Sequence, residues 1–206
     1  MPPASHMVQP GRIEVITGPM FSGKSEELIR RLKRARIAKQ RVVSFKPNID
    51  LRYDRTAIAS HSAQTHDACV VANVDGLREA LFAQIDQIDV VGIDEAQFFD
   101  ESLLPLSLEL VHLGKRVLIA GLDMTFAGEP FRPVPDLMAV ADEVVKLSAV
   151  CMRCGAPAIH TQRLGGSREL VVVGVAGMYE ARCRAHFEPF ADSEQLELPA
   201  AIAAKG

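Results

Sequence analysis

The chain has 206 residues, is 48% hydrophobic and carries a formal net charge of −3. That length suits one α/β domain with at most a small appendage, and the apolar fraction is enough for a real core. The near-neutral balance gives no reason to expect a nucleic-acid backbone or an anionic membrane as partner. No apolar run approaches the ~20 residues needed to cross a bilayer. The opening MPPASHMVQP lacks the charged and apolar regions of a signal peptide, so a cytoplasmic protein is expected. Residues 1–10 are set aside as a flexible N-terminus.

RIEVIT at 12–17 is β-branched and runs into Gly-Pro, which reads as a buried strand. Residues 24–38 give a helix with Leu28, Ile29, Leu32 and Ala35 on one face. The basic run from Arg30 to Arg41 within and after it reads as a solvated helix face. RVVSF at 41–45 is a second strand, and 46–68 lacks periodicity and reads as a long loop. CVVAN at 69–73 follows as a strand, with Cys69 a small buried hydrophobe. A helix over 76–86, a strand over 90–94, a helix over roughly 101–113 and a strand over 116–122 complete the alternation. Strands alternating with helices imply a parallel sheet with helices on both faces. From about 149 the pattern changes to cysteines and glycines. The expected organisation is an α/β domain over 11–148, a small metal-held lobe over 149–190 and a flexible acidic tail over 191–206.

Between the first strand and first helix lies Gly18-Pro19-Met20-Phe21-Ser22-Gly23-Lys24-Ser25. It fits G-x-x-x-x-G-K-[ST] in the strand–helix context that this motif requires. Glycines let backbone N–H groups turn inward around phosphate oxygens, and the helix adds its positive end. Lys24 would neutralise the β- and γ-phosphates of ATP, with the Ser25 hydroxyl on Mg²⁺. A simple glycine turn is the bland alternative. The third strand ends in Asp94-Glu95. At a strand's carboxyl end Asp94 would serve Mg²⁺, and Glu95 would accept a proton or position a water. Two carboxylates capping a helix are the alternative reading. The DEAQ tetrapeptide also matches helicases, but they need two nucleotide-binding lobes and this chain has length for one.

Cys151, Cys154, Cys183 and His186 form C-x2-C and C-x2-H half-sites separated by residues 155–182. Three thiolates and an imidazole make a closed shell for a structural Zn²⁺. His160 in place of His186 and redox-active cysteines are the alternatives, as is a zinc-ribbon nucleic-acid binder. The lobe shows no aromatic-plus-basic face of the kind single-strand binders use.

Taken in order, GPMFSGKSEELIRR, IDEAQFF, GLDMTFAGEPF and the cysteine quartet resemble the cellular-type (type II) thymidine kinases over about residues 11–190. The resemblance implies a phosphate-loop α/β domain with a zinc-bound lobe and a lasso that closes over the nucleoside. It implies transfer of the ATP γ-phosphate to the 5′-hydroxyl of thymidine, with deoxyuridine a further acceptor. Glu95 becomes the general base, and Asp94 and Gln97 join residues 18–25 in the ATP site. Leu122, Phe126 and Thr161 would line the nucleoside pocket, with Met20 and Phe99 nearby. Leu170, Val171, Val172, Val173, Gly174 and Tyr179 would make the lasso contacts, and Asp50 and Arg52 match a loop near the ATP phosphates. The resemblance further implies a homotetramer inhibited by dTTP. Val175 departs from the family pattern, which has a second glycine there. A valine adopts positive φ only at a cost, so lasso geometry and fine substrate preference are expected to shift at that point.

Overall fold

The computed structural model describes residues 10–48, 57–59, 65–165 and 178–189. The elements in chain order are β1 (Arg12–Thr17), α1 (Lys24–Ile37), β2 (Val42–Pro47), β3 (Ala57–Ala59), β4 (Thr65–Asp67), β5 (Cys69–Val71), α2 (Val74–Phe82), β6 (Val90–Ile93), α3 (Leu103–His112) and β7 (Arg116–Gly121). Then come α4 (Val134–Val140), β8 (Glu143–Lys146), β9 (Ala149–Val150), β10 (Pro157–Ala158), β11 (His160–Arg163) and β12 (Tyr179–Arg182). Six strands form one sheet in the order β5-β2-β6-β7-β1-β8, with every neighbouring pair parallel.

The sheet is covered on both faces, as its unbroken apolar strands require. On one face α1 sets Leu28, Ile29, Leu32 and Ala35 against Ile16, Val90, Leu118 and Ala120. On the other, α2, α3 and α4 pack Leu77, Leu81, Leu103, Leu106, Leu110 and Leu137 against Val15, Phe45, Val91, Ile93 and Ile119. Gly92 is what lets α1 approach: a Cβ there would stand 2.9 Å from the Leu32 Cδ2. Helix α1 carries Glu26 and Glu27 in its first turn and Arg34 and Arg36 in its last, matching its dipole. Helix α2 is capped by Asn73, whose side chain accepts from the Gly76 N–H.

Four features differ from the sequence reading. The stretch 46–68 is not all loop, since β3 and β4 pair antiparallel within it. Helix α4 and strand β8 were not anticipated. α4 has seven residues with a proline near its start, and β8 is an EVVK edge strand with mostly exposed side chains, so neither carries a strong apolar period. Cys69 is exposed rather than buried, because it opens an edge strand of the sheet. Finally, Arg31 leaves the basic run and is buried. Among the described residues, no helix is long and apolar enough to cross a membrane.

Arg31 is buried because of Glu14. The Glu14 side chain is 1% exposed and is met by Arg31 at 2.5 Å, Arg116 at 2.6 Å and Arg12 at 2.8 Å. Arg31 also reaches Glu27 and Glu143, both at 2.8 Å. Burial opposes ionisation of Glu14, but the guanidinium groups, Arg116 foremost, hold its carboxyl below the usual range. Glu27, bonded chiefly to Arg30, is brought down to about 2. A carboxyl depressed on folding stabilises the native state above its unfolded pKa and loses that contribution as pH falls through the folded one. For this network the contribution is complete above about pH 4.5 and is draining away as pH approaches 2. Glu14→Gln is expected to cost about 3 kcal/mol at neutral pH by leaving buried guanidinium charge uncompensated. It should also flatten the acid side of the stability profile. Urea midpoints measured from neutral to acid pH check both effects.

Candidate active site

The phosphate loop turns sharply between β1 and α1. Gly18 has φ 140° and Gly23 φ 84°. At Gly18 a Cβ would lie 2.4 Å from the Leu147 carbonyl oxygen, so glycine is needed for both conformation and space. Within the loop, Ser22 Oγ and Lys24 Nζ both donate to the Pro19 carbonyl, at 2.8 and 2.7 Å. Phe21 is half-exposed and has φ 66°. Burial pulls the Lys24 pKa down, against attraction from Glu95, Asp94 and Asp123 in that order. Three carboxylates from beyond the ends of two strands thus act electrostatically on one ammonium.

Asp94 follows β6 directly and is 6% exposed. Burial and the neighbouring Glu95 charge push its pKa up to about 7, against hydrogen bonds from the Ser25 side chain and the Glu95 backbone and the pull of Lys24. The Glu95 N–H donates to Asp94 Oδ1 at 2.9 Å. Glu95 itself has φ 53° and ψ 41°, a left-handed conformation that a non-glycine residue holds at some cost. Gln97 Nε2 donates to Glu95 Oε2 at 2.6 Å, while the Leu122 N–H donates to Gln97 Oε1 at 3.0 Å.

Past β7, Asp123 is buried and paired with Lys146 at the end of β8. Phe126 lies under the Arg163 guanidinium, 4.8 Å from its ring centroid. Arg163 is also 5.6 Å from the ring of Tyr179, its register partner across β11 and β12. Thr161, on the same strand, accepts a hydrogen bond from the Met20 N–H at 3.0 Å. The structure therefore brings Met20, Phe126, Thr161 and Tyr179 to the elements around the phosphate loop, with Phe99 buried beside Ala96 in the core. Asp50, Arg52, Leu170, Val171, Val172, Val173, Gly174 and Val175 lie outside the described residues. Sequence reasoning missed Arg163 and Lys146, single cations on strands of no recognisable motif. It also passed over Asp123, although that residue sits inside the GLDMTF segment.

Strands β9 and β10 pair antiparallel, as do β11 and β12. Between and after them, Cys151, Cys154, Cys183 and His186 converge, with all four donor atoms within 4.8 Å of one another. Cys154 Sγ and Cys183 Sγ are 3.7 Å apart, and His186 Nδ1 lies 3.2 Å from Cys183 Sγ and 4.0 Å from Cys151 Sγ. A tetrahedral ion with ~2.3 Å bonds to sulfur needs ligand separations of about 3.8 Å, so the donor set fits a metal. Burial would raise the Cys151 thiol, but backbone donors from Cys183, Arg153 and Cys154 bring it down to about 6, favouring the thiolate a metal requires. His160 is not part of this group; its ring stacks on Phe187 at 4.2 Å.

The raised Asp94 pKa has a consequence for stability. A buried acid with a raised pKa keeps its proton in the folded chain after the unfolded chain has lost it, so stability falls as pH rises from 3.8 to about 7. Without metal or nucleotide, Asp94→Asn should therefore melt higher than the native chain above about pH 7. The gain should vanish at acid pH, where ~1 kcal/mol corresponds to about 2–4 °C in a chain of this size. Thermal melts at both extremes check this.

A family profile described as "Thymidine kinase" matches residues 11–187. A curated protein named "Thymidine kinase" from Deinococcus deserti is 51% identical over 189 residues, covering 85% of this chain and 94% of the relative. Relatives of the same name from a Rhodothermus species and from Bdellovibrio bacteriovorus are 52% identical over 179 residues and 48% over 187. Those matches cover 87% and 91% of this chain, and 82% and 90% of the relatives. Identity at that level, sustained along nearly the full length of both partners, makes the chain a member of the thymidine kinase family.

Proposed function

We propose that the protein transfers the γ-phosphate of ATP to the 5′-hydroxyl of thymidine, giving thymidine monophosphate and ADP for DNA synthesis. The observation that carries this reading is the position of Asp94 and Glu95 directly after β6, their charges acting on Lys24 of the phosphate loop, in a chain of this family. Residues 18–25 wrap the ATP phosphates with backbone N–H groups. Lys24 exchanges its Pro19 carbonyl for phosphate oxygens and stabilises charge on the group in transfer. Ser25 and Asp94 would hold Mg²⁺, which would supply charge neutralisation for the phosphates. Glu95 takes the 5′-hydroxyl proton, and most of the rate comes from positioning and electrostatics.

The nucleoside would lie against Leu122, Phe126, Thr161 and Tyr179; residues 170–174, the expected lasso, lie outside the described residues. The metal at Cys151, Cys154, Cys183 and His186 is Zn²⁺. Four protein ligands leave it no open position, so its work is structural. The family resemblance, not any residue pattern, suggests a cytoplasmic homotetramer held in check by dTTP, with neither nucleic acid nor membrane as a partner.

Purified protein incubated with Mg-ATP and each pyrimidine nucleoside in turn, with monophosphate formation followed, tests the reaction. Thymidine should be phosphorylated, and Glu95→Gln should keep ATP binding while losing about 10²–10⁴ in turnover, the usual worth of a general base. ATP consumption that is equal without nucleoside would instead mark a regulatory ATPase. For the metal, chelation of the full chain should release zinc and lower the melting temperature, because the lobe's own apolar cluster contains little beyond alanines and the ligand cysteines. An unchanged melting curve after complete zinc removal would overturn the structural role.

A further inference from the structure

Gln97 is 3% exposed, on the short 3-10 turn Ala96–Phe98 behind the acidic pair. Its primary amide is engaged at both ends. A backbone N–H can only donate, so the bond from Leu122 N, at 3.0 Å, fixes the amide oxygen toward β7. That leaves Nε2 to face the Glu95 carboxylate, to which it donates at 2.6 Å. The amide orientation therefore follows from the partner chemistry.

The surroundings are shaped around this bridge. Gly121 abuts the amide, and a Cβ there would stand 3.0 Å from Gln97 Oε1 and 2.9 Å from Val134 Cγ2. Ala96, on the Glu95 side, is buried beneath the same contact. Glu95 is held in a left-handed backbone conformation, and a carboxylate presented on a strained turn needs a fixed partner to keep one orientation. The Asp94 carboxylate does not supply it, since its Oδ1 is engaged by the Glu95 backbone N–H rather than by the side chain.

We infer that Gln97 is a positioning residue: it orients the Glu95 carboxylate and ties that orientation to the backbone at Leu122 on the proposed nucleoside wall, rather than contacting the nucleotide. This rests on the reading of Glu95 as general base. The bridge gives the reaction a route by which occupancy of the pocket reaches the base. A nucleoside seated against residue 122 acts on a peptide whose N–H is one bond from Gln97 and two from Glu95. It also assigns a specific use to the glutamine of the DEAQ segment, where an isosteric glutamate would place like charge on Glu95 and an apolar residue would leave it unheld.

The test is a double-mutant cycle on the full chain. Gln97→Met keeps the volume and removes both hydrogen bonds; Gln97→Glu keeps an acceptor for Leu122 but loses the amide donor to Glu95. Each should lower kcat by about 10²-fold, the scale of a misplaced catalytic group, with KM for thymidine and calorimetric affinity for a non-hydrolysable ATP analogue changed by less than about threefold. In a Glu95→Gln background, assayed under single-turnover conditions with excess enzyme, adding Gln97→Met should lower the residual rate by less than about twofold, since effects that act through one group do not add. A further loss as large as in the native background would overturn the inference, as would a rise in the ATP-analogue Kd matching the loss of activity. Near-normal turnover in Glu95→Gln alone would overturn the general-base reading itself, and with it this role for Gln97.

Discussion

Lys24 is the group around which the site is built. It is a half-buried ammonium drawn by Glu95, Asp94 and Asp123, and those three carboxylates repel one another. Asp94, buried and beside the Glu95 charge, holds its proton to about pH 7. A site with that much like charge would relax apart in an unconstrained chain. The fold prevents this by giving each acid a neutral or cationic neighbour: Ser25 for Asp94, Gln97 for Glu95 and Lys146 for Asp123. Each neighbour comes from a different element, so the charge arrangement depends on the phosphate loop, the turn after β6 and the edge strand β8 all being in place.

The opposite end of the same sheet shows the contrast. There Glu14 enters at the start of β1 and is met by three guanidinium groups, and its charge is favoured rather than penalised. One end of β1 is thus electrostatically satisfied and contributes to stability, while the other opens on carboxylates held at a cost. The imbalance has a direction: a polyphosphate with a divalent cation would supply the positive charge that Asp94 and Glu95 lack and the anion that Lys24 lacks. Binding and stability are then linked, because any ligand that favours the folded site over the unfolded chain raises apparent stability.

How much of this was legible in the sequence divides by distance along the chain. Gly18 to Ser25, Asp94 with Glu95, and the two metal half-sites are contiguous or nearly so, and their spacing is what made them candidates. The alternation of strands and helices gave the parallel sheet because each central strand is a short apolar run. What escaped was non-local or weakly patterned. Nothing in the helix period of α1 marks Arg31 as the one cation that turns inward, since the reason lies in Glu14 on another element. Strand β8 has little apolar signal because it is an edge strand, yet it brings Lys146 to Asp123. Gln97 could be read as a residue near phosphate; only its bond to Leu122, just past β7, shows that its amide is already committed.

One link between the two halves of the site is the hydrogen bond from Met20 N–H in the phosphate loop to Thr161 Oγ1 on β11. Thr161 is buried, so without its partner the Met20 donor would sit where water does not readily replace it. Strand β11 is in turn held by β12, and β12 leads directly into Cys183 and His186. The apolar cluster of that lobe is made of small residues and cannot fix two short hairpins by burial alone. The ligand residues, β12, β11 and the loop at Met20 thus form one connected chain of contacts. The side chains able to hold a metal are thus joined to the phosphate loop through β12, β11 and the Thr161 hydroxyl.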